Sequence, residues 1–354
     1  MRESESISRI LEALREMERD LNAALREREE EIRALVLALL SGEHLYLVGP
    51  PGTGKSLLVR KAAGHFPALV YVERLLHQES DRSALSRAPL GGAGIAEGSL
   101  VFLDEILRAP KSLLLTLLSF MNERIWHDPD PKPAPLLTLF AASNAHPSQS
   151  DHLDAFFDRF ALRCLMEPVR RFDSFAELLE DREPEGTVGE AGAGNAPSGF
   201  SFEDFRALQR AVSRGIPLSP EVVPLLWELR HRLGREGVTL SDRRWKMVAK
   251  VLKAVAVYEG HRTVGPAHLS GLLPVLWTYP PDPDDPPCAG KSLSGDFSAV
   301  DVDPQDRKEA GQGHRSFPPR KVRKALARRR SGTIRAAPRP PGDADGSGRR
   351  GSHS

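Results

Sequence analysis

Two cysteines, Cys164 and Cys288, are all that the 354 residues contain, and neither lies in a partner motif. So few exclude a disulfide framework and predict a chain suited to a reducing cytoplasm. Long apolar runs are missing too. The longest, such as Ala34 to Leu40, fall far short of the roughly 20 residues that a membrane-crossing helix requires. Met1 to Asp20 is charged throughout and lacks the apolar stretch of a signal peptide, so export is not expected. Nor does one sign of charge dominate: the formal net charge is +1. That balance hides an asymmetry, because Asp301 to Ser354 carries 14 Lys or Arg against 6 Asp or Glu and leaves the remainder at −7. A folded part of that sign does not advertise nucleic-acid binding, and Arg328-Arg329-Arg330 reads as a solvated charge run.

What is present falls into four stretches. The first forty residues read as one helix, with Ile7, Ile10, Leu11, Leu14, Leu21, Leu25, Ile32 and Leu35 near three-to-four-residue spacing and Ser41-Gly42 as its end. Five short apolar runs follow: Leu45 to Val48, Leu69 to Val72, Leu100 to Leu103, Leu136 to Ala142 and Leu162 to Met166. Most are continuous rather than alternating, which suits strands buried on both faces of a parallel sheet. Helical patterns over Ser56 to Ala63 and Lys111 to Glu123 separate them, so the order predicts a wound α/β fold over residues 1–184. Residues 185–200 turn to Gly, Ala, Glu and Pro without periodicity and read as a linker. Four helical patterns, Phe202 to Arg214, Pro220 to Leu233, Asp242 to Tyr258 and Pro266 to Trp277, predict a small all-helical domain over 201–280. Residues 281–354 offer few large apolar side chains to offset ordering entropy, and a disordered basic tail is expected there.

Gly49-Pro50-Pro51-Gly52-Thr53-Gly54-Lys55-Ser56 matches G-x-x-x-x-G-K-[ST] directly after one predicted strand and at the start of a helix. Glycines allow backbone N–H groups to turn inward around phosphate, the helix N-terminus adds its positive end, a lysine reaches the β and γ phosphates, and a hydroxyl can ligate magnesium. Pro51 and Thr53 complete the loop. Leu100-Val101-Phe102-Leu103-Asp104-Glu105 is a strand ending in two carboxylates, where open α/β sheets place their ligands. Asp104 suits the metal-linked role beside Ser56, and Glu105 the general base for the attacking water. Asn144, after Thr138 to Ser143, can position that water; the same residue equally suits a turn into Ala145-His146-Pro147. His127, His146 and His152 have no tight ligand spacing, so no metal other than magnesium is expected from them.

These motifs resemble the P-loop, Walker B and sensor 1 of AAA+ ATPases, specifically the MoxR group. The likeness covers about residues 5 to 280. Glu31 to Leu35, Ser41 to His44, Gly94 to Ser99 and Leu118 to Arg124 are similar to the RavA-like branch, and most specifically so are Leu240-Ser241-Asp242-Arg243-Arg244-Trp245-Lys246 and Tyr279. The resemblance implies ATP and Mg²⁺ as cofactors, a P-loop NTPase sheet with a helical lid, and Arg159 in Asp158-Arg159-Phe160 as an arginine finger, with Arg124 a second candidate. It implies Arg243, or else Arg244, as sensor 2. Guanidinium groups suit both tasks because they stay charged and grip phosphate in a planar fork.

The function so implied is ATP hydrolysis by a cytoplasmic ring homo-oligomer, expected to be a hexamer, that remodels or matures protein clients in chaperone-like fashion beside a von Willebrand factor A domain partner. A nucleic-acid motor or clamp-loader-type ATPase shares the core but conflicts with the acidic folded part, and a non-hydrolysing nucleotide-gated scaffold conflicts with an intact Glu105 and Asn144. Two departures stand out. Glu73 to Leu90 is short for the helix-two insert that MoxR-type proteins carry, and the C-terminus runs into Pro-Asp-rich and then Arg-Pro-Gly-rich sequence instead of further helical elements. A natural truncation and a shifted reading frame would each produce such a tail.

Overall fold

The computed structural model describes residues 2–86, 92–127, 130–144, 154–180, 199–235, 238–272 and 275. Residues 185–198 of the expected linker, the tail, Tyr279, His146, His152 and Cys288 lie outside the described residues. Within them, five strands form one parallel sheet: β1 (His44–Val48), β2 (Tyr71–Leu75), β3 (Leu100–Asp104), β6 (Thr138–Ser143) and β7 (Phe160–Leu165), in the order β2-β3-β6-β1-β7. The five expected strands are all found, with ends displaced by up to two or three residues. The second begins two residues later than its apolar run, because Leu69 and Val70 belong to the approach to the strand.

Continuous apolar strands divide their side chains between two covered faces. Leu45 and Leu47 of β1, with Leu100 and Phe102 of β3, join one core; Tyr46, Val48, Val101 and Leu103 join the other. Helix α5 (Lys111–Glu123) covers the second face through Leu113, Leu114, Leu117, Phe120 and Met121. The first face meets α3 (Lys55–Gly64), α2 (Glu29–Ser41) and α1 (Arg2–Ala24), together with the helices of the second half, α8 (Phe202–Gly215), α9 (Val222–Arg235) and α10 (Asp242–Tyr258). Short helices α4 (Arg82–Ser86), α6 (Asp154–Phe157) and α7 (Phe172–Leu179) fill the connections.

The expected single N-terminal helix is two. Glu27 adopts φ 56° and the chain turns there. The Glu27 carboxylate accepts the backbone N–H groups of Arg170 (2.9 Å) and Arg171 (3.0 Å), which hold its pKa down to about 2. Tertiary hydrogen bonds thus break a periodicity that runs on in the sequence. Gly42 does end α2, in the left-handed conformation at φ 69°. A second difference is a two-stranded antiparallel ribbon of β4 (Ile125–His127) and β5 (Pro131–Pro133). Its Asp-Pro-Lys-Pro composition reads as loop, yet Trp126 is buried against Phe120 and anchors it. The last expected helix, Pro266 to Trp277, is a 3-10 segment over Pro266–Leu272 within the described residues.

The second half is welded to the first. Phe205 of α8 is fully buried and meets Phe66 edge to face at 5.0 Å between ring centroids, and Gln209 donates to the Leu39 carbonyl (2.9 Å). Phe205→Ala should therefore lower unfolding free energy by about 3–5 kcal/mol, read by urea denaturation as one cooperative transition. A loss below 1 kcal/mol would mean that α8 does not share this core.

Candidate nucleotide site

Parallel pairing of β3, β6 and β1 sets three strand ends side by side. Val48 pairs with Ser143 and Leu103 with Ala141, so Gly49, Asn144 and Asp104 emerge at one edge of the sheet. The Gly49 N–H continues the ladder to Ser143 O (3.2 Å). A side chain at Gly49 would place Cβ 2.1 Å from the Met166 carbonyl oxygen, so only glycine lets the loop leave β1 beside β7. Gly52 (φ 83°) and Gly54 (φ 88°) then take left-handed conformations, which glycine adopts without steric cost. A Cβ at either would meet nothing within 4 Å. The backbone at Gly52 and Gly54 is thus unobstructed ahead of α3, whose first-turn N–H groups carry the positive helix end.

The functional side chains form two linked hydrogen-bond sets. The Lys55 ammonium donates to Gly49 O (2.8 Å), Pro50 O (2.9 Å) and Asn144 Oδ1 (2.8 Å). Asn144 Nδ2 in turn donates to Glu105 Oε1. One amide therefore turns its oxygen to the cation and its NH₂ to the carboxylate, the orientation that both charges favour. Ser56 Oγ donates to Asp104 Oδ2 (2.7 Å), and Asp104 Oδ1 accepts the Glu105 N–H (2.9 Å). Glu105 sits at φ 53° just past β3, and Arg108 Nε lies 3.4 Å from its Oε2. Burial pulls the Lys55 pKa below the ordinary lysine value, against the opposing pull of Asp104 and Glu105.

The donor set fits the expected ligands. Two unencumbered left-handed glycines ahead of the α3 N-terminus, with Lys55 beside them, suit phosphate. The Ser56 hydroxyl and Asp104 carboxylate are hard oxygen donors close enough to share a magnesium ion that keeps several waters.

The expected arginines lie elsewhere. Arg124, Arg159 and Arg243 line one cleft of about 470 Å³ between the sheet domain and the helices of the second half, and none of residues 49–56 lines it. Among the described residues it is lined by eight Arg or Lys side chains and one carboxylate, Glu43, which Lys250 engages at 2.6 Å. Arg159 Nη1 donates to Ala155 O, whereas its Nε is buried without a hydrogen-bond partner among the described residues. Burial, then the neighbouring Arg243, lower the Arg159 pKa while Asp158 opposes them. Arg124, at φ 58°, donates Nη2–H to Gly42 O (2.7 Å), and burial pushes it down to about 10. Arg244 turns the other way, into the core, where it donates to Phe160 O (3.3 Å) and Val275 O.

Arg28 was not legible beforehand. It is buried between the phosphate loop and the end of the sheet, donating Nε–H to Thr53 O (3.2 Å) and Nη2–H to Glu167 O (2.6 Å). In sequence it is one charge among Arg26-Glu27-Arg28-Glu29, with nothing to mark it.

Comparisons with known proteins agree with this geometry. Residues 12–85 and 92–190 match the family model described as the MoxR domain in MoxR-vWA-beta-propeller ternary systems, and residues 221–285 match an AAA lid domain. Two uncharacterized proteins of Methanocaldococcus jannaschii, MJ0079 and MJ0812, are 29% and 30% identical over 290 residues, 77% of this chain and 72% of each relative. A solved structure from Cytophaga hutchinsonii, described as a candidate ATPase, superposes with TM-score 0.61 at 18% identity, covering 78% of this chain and 89% of its own. Fold and phosphate loop together define a P-loop nucleotide-binding protein of the AAA+ class. Within that class, the chain belongs to the MoxR-type AAA+ ATPases.

Lys55→Ala is expected to abolish nucleotide binding, measured with a fluorescent ATP analogue, because the loop loses its only side-chain cation. Glu105→Gln should keep binding and lose turnover. Equal loss of binding in both would overturn these roles. Arg28→Ala should weaken binding without touching the chemistry, since it releases the Thr53 carbonyl that shapes the loop; an unchanged affinity would make Arg28 dispensable.

Proposed function

We propose that this protein hydrolyses ATP as a ring homo-oligomer, expected to be a hexamer, and couples turnover to remodelling or maturing a protein client. The observation that carries the reading is the separation of two half-sites. One edge of the sheet holds the phosphate loop, Ser56-Asp104 and Lys55-Asn144-Glu105. The basic cleft holds Arg159, Arg124 and Arg243, away from that loop. A ring in which each cleft faces the next subunit's phosphate loop would bring the halves together.

Bound magnesium would neutralise charge on the β and γ phosphate oxygens at Ser56 and Asp104. The chain's own residues do the rest. Lys55 would exchange its carbonyl contacts for phosphate oxygens. Glu105 would take a proton from the attacking water, with Asn144 fixing the carboxylate on one side and the lysine on the other. Arg159 is the group poised for the developing charge on the neighbour's γ-phosphate, because its buried Nε has no hydrogen-bond partner among the described residues. Arg243, next to it, would act in the same direction as sensor 2. Arg244 is committed to the core.

A von Willebrand factor A domain partner is supported by the MoxR-vWA description of the matching family model. The RavA-like placement rests on the resemblance of Glu31 to Leu35, Ser41 to His44, Gly94 to Ser99, Leu118 to Arg124, Leu240 to Lys246 and Tyr279. A protein client and a cytoplasmic setting accompany the chaperone-like reading; no described helix is long and apolar enough to cross a membrane.

Arg159→Ala should bind ATP normally and hydrolyse it roughly a thousandfold more slowly, as removal of an arginine finger does in other P-loop enzymes. Mixing it with excess Glu105→Gln protein should restore activity, since a mixed ring contains interfaces that pair an intact Glu105 with an intact Arg159. Labelled subunits would establish exchange. No recovery under proven exchange would remove Arg159 from the trans role and make Arg124 the residue to test.

A further inference from the structure

At the end of α10, far in sequence from the phosphate loop, Glu259, His261 and His268 turn one ligand atom each toward a common point, all within 4.8 Å of one another. Local structure explains why they meet. Gly260, at φ 83°, closes the helix. The His261 N–H bonds Ala256 O (2.7 Å) and the Gly260 N–H bonds Val257 O (3.0 Å), the paired pattern of a Schellman motif. That turn fixes Glu259 and His261 on one side of the helix end. The chain then pairs Val264 with Leu218 and re-enters the core at His268, which is 5% exposed.

We propose that these three side chains bind one zinc ion, with water in the fourth position. Two imidazole nitrogens and one carboxylate oxygen form a donor set that zinc favours in four-coordinate sites. His268 Nε2 lies 3.0 Å from His261 Nδ1 and 3.7 Å from Glu259 Oε2. Zinc bonds of about 2.0–2.1 Å in a tetrahedron require ligands roughly 3.3 Å apart, so these separations bracket the value. The outer contacts fit as well. Glu259 keeps Oε1 on Arg33 Nη2 (3.3 Å), leaving Oε2 for metal, and Arg33 is itself stacked over Tyr258 at 4.2 Å. His268 Nδ1 lies 2.8 Å from the Gly265 N–H and 3.1 Å from the Gly265 carbonyl. Without metal the ring accepts from that N–H and its Nε2–H donates to His261. With metal on Nε2 the proton must sit on Nδ1, so the ring has to give up the Gly265 N–H that it now accepts and turn its Nδ1–H to the Gly265 carbonyl, the outer contact that zinc-bound histidines habitually make. The ion would staple the end of α10 to the 266–272 segment and, through Arg33, to α2.

The test uses the full chain, stripped with a chelator and free of nucleotide and magnesium, titrated with zinc against a chromophoric competitor. One zinc per chain should bind at micromolar concentration or tighter and raise the melting temperature, because the ligands converge only in the folded state. Cobalt in its place should give the visible absorption of a four-coordinate site. His261→Ala is the informative variant: it removes one ligand and the partner of the His268 Nε2–H, so metal-free stability should fall modestly, while zinc affinity should fall steeply and the zinc-induced thermal shift should vanish. Arg33→Gln should weaken zinc by about 10–100-fold. Failure of the parent protein to bind zinc, or tight binding that survives His261→Ala and Glu259→Gln, overturns the proposal.

Discussion

The Lys55 ammonium organises the site around it. Its three donors are divided between two loop carbonyls and the Asn144 amide, so one charge fixes the curvature of the phosphate loop and the rotamer of a residue on another strand. Asn144 passes that constraint to Glu105. A cation, an amide and a carboxylate in series hold one another in place because each would be left with an unsatisfied polar group if a neighbour moved. The arrangement requires β1, β6 and β3 to be adjacent and parallel, which follows from strands that bury both faces under helices.

The second constraint is charge segregation. The strand edge sets Lys55 and Arg108 near Asp104 and Glu105, whereas the cleft gathers eight cations around one carboxylate and is electrostatically unbalanced where it stands. Burial and the nearness of Arg243 disfavour the charge of Arg159, so an incoming anion would relieve two penalties together. Eight cationic side chains gather in a cleft although the chain outside its last 54 residues carries a charge of −7. Net charge predicts average behaviour and not the local field, which depends on which helices the fold brings together.

Several features were legible without coordinates. The phosphate loop, the strand ending in Asp104-Glu105 and the helices over 111–123, 202–215 and 242–258 follow from local pattern, because glycine tolerance, helical periodicity and buried strands are encoded residue by residue. Neither the left-handed turn at Glu27 nor the β4–β5 ribbon was visible. The first depends on two N–H groups some 140 residues away, at Arg170 and Arg171, and the second on Trp126 finding Phe120. Both are contacts between segments that carry no mark of each other.

What the sequence by itself determined is therefore the inventory: a phosphate loop with its lysine and serine, an acidic strand end, a polar Asn144, and a set of arginines. Those are properties of short segments, where a few neighbouring residues dictate the backbone. Tertiary structure alone decided the grouping. It joined Asn144 to Lys55 and Glu105, set Arg28 beneath the loop, turned Arg244 inward and placed Arg243 beside Arg159. The reason is distance along the chain: partners separated by tens to hundreds of residues meet only when the whole core has chosen which faces to bury.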